Sequence, residues 1–195
     1  EAPALSADKI WVLPAADGSA DQVLKTDGSG NLGFATTSGG GKIGQVLSAT
    51  KTDVFTTTST SYTDITGITI NITPAATSSK ILVTFSVTAS TDTADRVFGI
   101  QLVRDSTAIG IGGASSSRSV GTVAGTVETK NTKMNSYSMN FLDSPSSTSE
   151  LTYKLQTKAQ TGGSNTVRIN SNGGDQDGGY NFRTISTITV MEVLA

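Results

Sequence analysis

Beyond about residue 42 the chain alternates apolar and polar positions with a period of two. Ile68, Ile70 and Ile72 fall on one side and Thr69, Asn71 and Thr73 on the other, and Pro74, which has no amide to donate, ends the run. Ile81, Val83, Phe85 and Val87 interleave with Leu82, Thr84, Ser86 and Thr88 in the same way. Shorter alternating sets follow at Phe98, Ile100 and Leu102, at Tyr137, Met139 and Phe141, at Leu151, Tyr153 and Leu155, and at Val167 and Ile169. Asp105-Ser106-Thr107 and Asp143-Ser144-Pro145-Ser146 have hairpin or short-loop composition. No segment carries a helical repeat. Roughly eight to ten strands, with turns about every 8–20 residues, predict an all-β, two-sheet sandwich of the jelly-roll kind. An immunoglobulin-like sandwich is the rival, but its cysteine pair and core tryptophan are missing.

The first forty or so residues read differently. Short apolar pieces at 10–13, 22–24 and 32–34 are separated by Ala15-Ala16-Asp17-Gly18 and Asp27-Gly28-Ser29-Gly30-Asn31. Each spacer holds an Asp-Gly pair, which tolerates the positive φ of a hairpin turn, so short strands and turns are expected. Gln22-Val23-Leu24 recurs as Gln45-Val46-Leu47, hinting at a duplicated hairpin. Ser38-Gly39-Gly40-Gly41 is linker-like and divides the chain into an extended segment, 1–42, and a sandwich, 43–195. The last strand, within 184–194, is apolar on both faces: Ile185, Met191 and Val193 on one, Ile188, Val190 and Leu194 on the other. Such a strand must be covered on both faces, by a second layer or by another subunit. With a front segment too small to form a core, this predicts a homo-oligomer.

Composition narrows the chemistry. The 195 residues include 31 Thr and 25 Ser but no His and no Cys. β-Branched threonine suits strands, whereas Ser and Gly disfavour helix interiors. Without His or Cys there is no histidine-based triad, no thiolate nucleophile, no disulfide and no sulfur-type zinc site. A net charge of −2 with scattered Lys and Arg offers no surface for nucleic acid. No apolar run approaches the roughly 20 residues of a membrane helix, so no membrane insertion is expected. Glu1 in place of an initiator Met suggests a fragment or a processed product.

The string Leu13-Pro14-Ala15-Ala16-Asp17-Gly18-Ser19-Ala20-Asp21-Gln22-Val23-Leu24-Lys25-Thr26-Asp27-Gly28-Ser29-Gly30-Asn31-Leu32-Gly33-Phe34 resembles a repeat of tail fibres and other virion appendage proteins of tailed bacteriophages, especially those of marine bacteria. Gly44-Gln45-Val46-Leu47, Tyr62-Thr63-Asp64-Ile65-Thr66-Gly67 and Ser186-Thr187-Ile188-Thr189-Val190-Met191-Glu192-Val193 are more loosely similar to the C-terminal domains of such proteins. The resemblance implies a homotrimeric virion structural protein on the outer surface. Its stem would meet other virion proteins, and its jelly-roll head, similar to the tumour-necrosis-factor or C1q type, would meet a host-surface glycan. A capsid decoration or head-fibre protein is the alternative of a different kind.

One loop concentrates the candidate chemistry. Asp175 and Asp177 sit on a glycine-rich turn, where alternating acidic oxygens can converge on Ca²⁺, but the calcium loop's closing Glu is missing and a solvated loop needs no metal. No metal and no cofactor are expected. Tyr180 and Phe182, flanked by Asn170, Asn172, Asn181 and Arg183, mix flat apolar faces with amide and charged partners, as sugar-binding surfaces do. The competing reading has the two rings start the final strand and fill the core. The ligand-binding set is therefore Tyr180, Phe182, Asn172, Asp175, Asp177 and Arg183. Residues 112–119, rich in Gly and Ser with Arg118 as their one charge, read as a flexible loop. Polysaccharide hydrolysis would need two carboxylates about 6.5–9.5 Å apart across a groove, and no catalytic residues are expected. Glu128, Glu150 and Glu192 are the glutamates of the strand region. Glu192 is either buried with a raised pKa or at the strand's solvent end. Lys130 and Lys133 read as a solvated strand face.

Overall fold

In the computed structural model the chain forms two compact units, Glu1–Gly41 and Lys42–Ala195. The structure describes residues 10–20, 22–36, 42–127, 133–160 and 165–194; the linker-like 38–41, Glu128 and Lys130 lie outside the described residues.

The first unit is a hairpin of β1 (Gln22–Thr26) and β2 (Leu32–Thr36), paired antiparallel from Gln22↔Thr36 to Thr26↔Leu32. Its turn is organised by Asp27, whose carboxylate accepts the amides of Ser29 (2.7 Å) and Asn31 (3.2 Å) and the Asn31 side chain (2.8 Å). Gly28 and Gly30 supply the positive φ values, 80° and 100°, that the turn requires. The other Asp-Gly pair, Asp17-Gly18, closes no hairpin; residues 10–13 contribute only a bridge from Val12 to Asn31. Ile10, Trp11, Leu13, Val23 and Leu24 all stand exposed.

The second unit has eleven strand segments among its described residues. In chain order they are β3 (Ile43–Lys51), β4 (Phe55–Thr57), β5 (Thr63–Ile72), β6 (Lys80–Thr91), β7 (Val97–Arg104), β8 (Thr107–Ile109), β9 (Val123–Thr126), β10 (Asn135–Asp143), β11 (Leu151–Ala159), β12 (Val167–Ile169) and β13 (Ser186–Val193). The second copy of Gln-Val-Leu lies in β3, which pairs with distant β13, so the repeat does not fold as a second hairpin. Asp105-Ser106 closes the β7–β8 hairpin, whereas the loop after Asp143 carries the chain from one sheet to the other.

Register shows that several segments are interrupted strands. β10 pairs with residues 81–89 of β6 and β13 with residues 80–86, so they flank β6 on opposite sides. β12 pairs with residues 89–91, and because Ala89 also faces Asn135 of β10, β12 lies in line with β13. β4 pairs with β12 as β3 pairs with β13. In the other sheet β8 and β9 share the side of β7 away from β11. The eleven segments therefore fill eight positions, four per sheet: β3/β4, β12/β13, β6, β10 and, opposite, β5, β11, β7, β8/β9. Numbered along the chain these read 1-8-3-6 and 2-7-4-5, the jelly-roll arrangement.

Alternation then decides the core. Ile81, Val83, Phe85 and Val87 of β6, with Ile188 and Val190 of β13, meet Phe98, Ile100 and Leu102 of β7 and Leu151, Tyr153 and Leu155 of β11, all buried. Phe98 and Tyr137 pack edge to face with centroids 5.3 Å apart.

At one rim the apolar core gives way to carboxylates. Asp143 and Glu192 both pair with Ile81, one on each side of β6, and both are buried. Asp143 accepts Arg104 Nη1 on both oxygens (2.8 and 2.7 Å) and the Tyr153 hydroxyl (2.6 Å), tying β10 to the opposite sheet. Burial and the bond to Asp143 raise the Tyr153 phenol far above its ordinary value. Glu192 accepts Gln45 Nε2 (2.9 Å) and the Ala75 amide (2.6 Å). Burial alone would raise its pKa, but these bonds outweigh burial and lower it, which corrects the expectation of a raised value. Removing Asp143 orphans a part-buried guanidinium and a phenol: Asp143→Ala should cost about 2–4 kcal/mol in urea unfolding, and Tyr153→Phe about 1 kcal/mol. Asp64, held low by Lys154, and Glu192 both have folded pKa values below their unfolded ones. Their contribution is complete above about pH 4.5 and is lost as pH falls through the depressed values. Unfolding curves from pH 7 to 2 should show this decline, and Glu192→Gln should be less stable at neutral pH with a shallower acid limb.

Candidate functional site

Residues 170–185 leave the sheet between β12 and β13, where the strand position breaks off at Ile169 and resumes by Thr187. A gap in a ladder leaves backbone groups without partners, and such groups must be satisfied. Asn170 does this. Fully buried with φ 64°, it gives its amide N–H to Thr88 O (2.9 Å) and its side-chain Nδ2 to Lys51 O (2.9 Å) and Asp53 O (3.1 Å). Its Oδ1 accepts the Ser186 hydroxyl (2.6 Å), which itself accepts the Thr88 amide (3.1 Å). Asparagine suits the place because it tolerates the left-handed region and both donates and accepts. Lys51, at the end of β3, is itself buried and reaches Asp53 at 2.8 Å.

Above this base the loop forms an open cavity of about 370 Å³, lined by Asn172, Asp175, Asp177, Asn181, Phe182 and Arg183 among others. Five of the six residues predicted to bind a ligand thus meet around one space. Asp175 accepts Ser171 Oγ (2.9 Å) and faces Arg183 at 3.4 Å. Asn172 is buried, donates to Asn181 Oδ1 and leaves its own Oδ1 without a protein partner. Asn181 in turn holds Gln176 O at 2.7 Å. The sixth residue, Tyr180, stands outside the cavity lining, 87% exposed, and Phe182 is 67% exposed. The reading in which these rings start the last strand and fill the core is therefore corrected: β13 begins at Ser186, and the inward positions beside it go to Ile188 and Val190. Among the described residues no three acidic side chains gather as a metal site would require.

A second surface is the outward face of the β3–β13–β6–β10 sheet. Its pairings align Thr50–Thr187–Ser86–Ser138, then Ser48–Thr189–Thr84–Asn140, then Val46–Met191–Leu82–Leu142. These positions hold no charged side chain, and Ser48 and Thr189 bond each other at 2.9 Å, as Ser86 does Ser136 at 3.2 Å. In the apolar row Val46 is 55% and Leu142 47% exposed. The final strand is thus central in its sheet, with a buried inner face and an outer face that no second layer covers among the described residues of this unit. The opposite sheet turns out charge instead: Lys154 pairs with Asp64 at 2.9 Å, and Gln156 bonds both Asp64 and Gln101 at 2.6 Å.

No family model matches the chain, and no curated protein does. Among solved structures it is similar to the VP2 protein of infectious bursal disease virus. A single-residue mutant in derived T=1 particles is 16% identical with TM-score 0.39, over 83% of this chain and 39% of that one. The subviral particle gives 14% and 0.38 over 84% and 44%, and the Gx strain 15% and 0.36 over 84% and 39%. The chain thus spans about two-fifths of the length of these proteins, and at such values nothing is transferred from them to it.

Asn170 was visible in the sequence only as a neighbour of the aromatic pair; a lone Asn after an apolar strand gives no sign that it closes a ladder gap. Asn170→Ala should lower the unfolding free energy by about 2–4 kcal/mol in urea titration, because it orphans several buried groups at once. Tyr180→Ala should change it by less than about 0.5 kcal/mol.

Proposed function

We propose that this chain is a virion structural protein, a homotrimeric appendage of tail-fibre type whose jelly-roll unit adheres to a host-surface glycan. The observation that carries adhesion is the loop at 170–185. Two exposed rings, Tyr180 and Phe182, stand beside a cavity of amides, carboxylates and one guanidinium, on a base fastened by Asn170. A sugar offers an apolar C–H face to a ring and hydroxyls to such groups, and a rigid base lowers the ordering cost of binding. Shallow contacts suffice when three copies act together.

Support for the trimer comes from the uncharged outer sheet face, where the Val46–Met191–Leu82–Leu142 row gives identical neighbours a surface free of like-charge repulsion. The open apolar side chains of the first unit favour a stem or attachment element in contact with other virion proteins. The reading assigns binding rather than bond cleavage, in keeping with the structural use of Asp143 and Glu192 at the rim of the core.

Light scattering of the full chain should give three times its 20.0 kDa mass. Leu82→Glu combined with Met191→Lys should yield a folded monomer with unchanged circular dichroism; a monomeric parent chain would end the trimer reading. On a glycan array the parent should bind, and Tyr180→Ala with Phe182→Ala should weaken that binding by about tenfold or more at unchanged Tm. An array with no bound glycan would end the adhesion reading.

A further inference from the structure

The jelly roll contains a second looped-out segment, residues 110–122, which interrupts the β8/β9 position between Ile109↔Leu102 and Val123↔Ile100. Its base is closed as the first loop's is. Thr122 gives its amide to Ile100 O (2.9 Å), and its hydroxyl accepts the Leu102 amide (2.8 Å) that the broken ladder would leave bare. Gly112 N to Gly121 O, 3.1 Å, pinches the neck, and Arg118 N to Ser115 O, 3.1 Å, shapes the tip. The loop expected to be flexible is thus closed at its neck and turned at its tip by backbone bonds.

This loop borders a cavity of about 630 Å³ on the outer side of the second sheet. Tyr62 lies within it and donates its hydroxyl to Val120 O at 2.7 Å. Gly99 and Gly121 make room for that ring, since a Cβ at either would come within 2.6 Å of the phenol oxygen. Lys158, from β11, sits 5.0 Å over the ring and donates to Ser119 Oγ at 2.9 Å. Lys158 and Arg118 are the charged residues of the lining, no Asp or Glu lines it, and neither cation pairs with a carboxylate among the described residues. On a chain of net charge −2, this is a locally cationic hollow.

From these features we infer that the cavity is a binding site for a carboxylate-bearing saccharide, with the acid group held by Lys158 and Arg118. Two cations that no carboxylate among the described residues neutralises select an anion, and charge-assisted hydrogen bonds are the strong ones. The volume far exceeds what a small inorganic anion fills and lies in the range of organic ligand sites. The serine hydroxyls, the Gln160 amide and the glycine backbone around the cations are neutral partners suited to sugar hydroxyls. The site is separate from the loop at 170–185 and stands whether or not that loop binds a glycan.

The test is calorimetry on the full chain with three probes: a glucuronic-acid-containing tetrasaccharide, its carboxyl-reduced counterpart and inorganic sulfate. The acidic tetrasaccharide should bind, and carboxyl reduction should weaken it by about tenfold. Lys158→Gln and Arg118→Gln should each weaken it by about five- to tenfold, Lys158→Arg should restore most of the loss, and Tyr180→Ala should leave it unchanged. No binding, equal binding of the reduced probe, or indifference to both charge substitutions overturns the proposal. Loss on Tyr180→Ala would move the binding to the other loop, and sulfate binding as tightly as the tetrasaccharide would reduce the cavity to a simple anion site; either result also overturns it.

Discussion

A strand that leaves a sheet and returns must resume its ladder with the correct side facing the core, and the rest of this jelly roll is arranged around that requirement. The side-chain period of a strand is two, so a slip of one residue exchanges its faces. Ile169 points inward at an odd position and Ile188 at an even one, and the residues between them absorb the change. Asn170 and Ser186 hold the two ends of the gap by bonding the backbone of β6 and of the β3–β4 connection. Thr122 does the corresponding work for β7. Both cavities of the sandwich unit described above lie over these gaps, so the polar closures that keep the sheets intact also set the loops that border the cavities on fixed bases.

The two sheets divide the remaining surface between them. One turns outward a grid of hydroxyls and a single apolar row, the other a mesh of Lys154, Asp64, Gln156 and Gln101. A charged, mutually bonded face is at ease in water. An uncharged face can be buried at lower desolvation cost than a charged one, and Ser48, Thr189 and Ser86 already have hydroxyl partners on the sheet. The abundance of Thr and Ser thus does more than favour strands: it gives one sheet an exterior compatible with both water and a protein neighbour.

Alternation made most of this fold legible, since each inward set, from Ile68, Ile70 and Ile72 to Leu151, Tyr153 and Leu155, declares its strand and its face. What alternation could not convey was continuity between segments. Nothing in Val167 and Ile169 announces that they share a line with Ile188 and Val190, because long-range register alone defines that line. The same holds for the rim, where Arg104, Asp143 and Tyr153 lie on three strands and meet only through pairing. The 170–185 loop was recognisable because its amides, acids and rings are close in sequence, and the cavity beside Tyr62 was not, because Tyr62, Arg118 and Lys158 are far apart. Period-two spacing also misled at Tyr180 and Phe182: two aromatic residues in a loop can share that spacing with a strand without sharing its burial.

The closures at Asn170 and Thr122 lie at the strand ends, at the foot of the loops they support. Entropy of loop closure rises only slowly with length, by about 0.6 kcal/mol for each doubling. A segment seated on such a closure can therefore change in length and composition without disturbing the register beneath it. The sandwich is in this respect a chassis with two sockets, in which the inserted loops can vary while the architecture that presents them stays still.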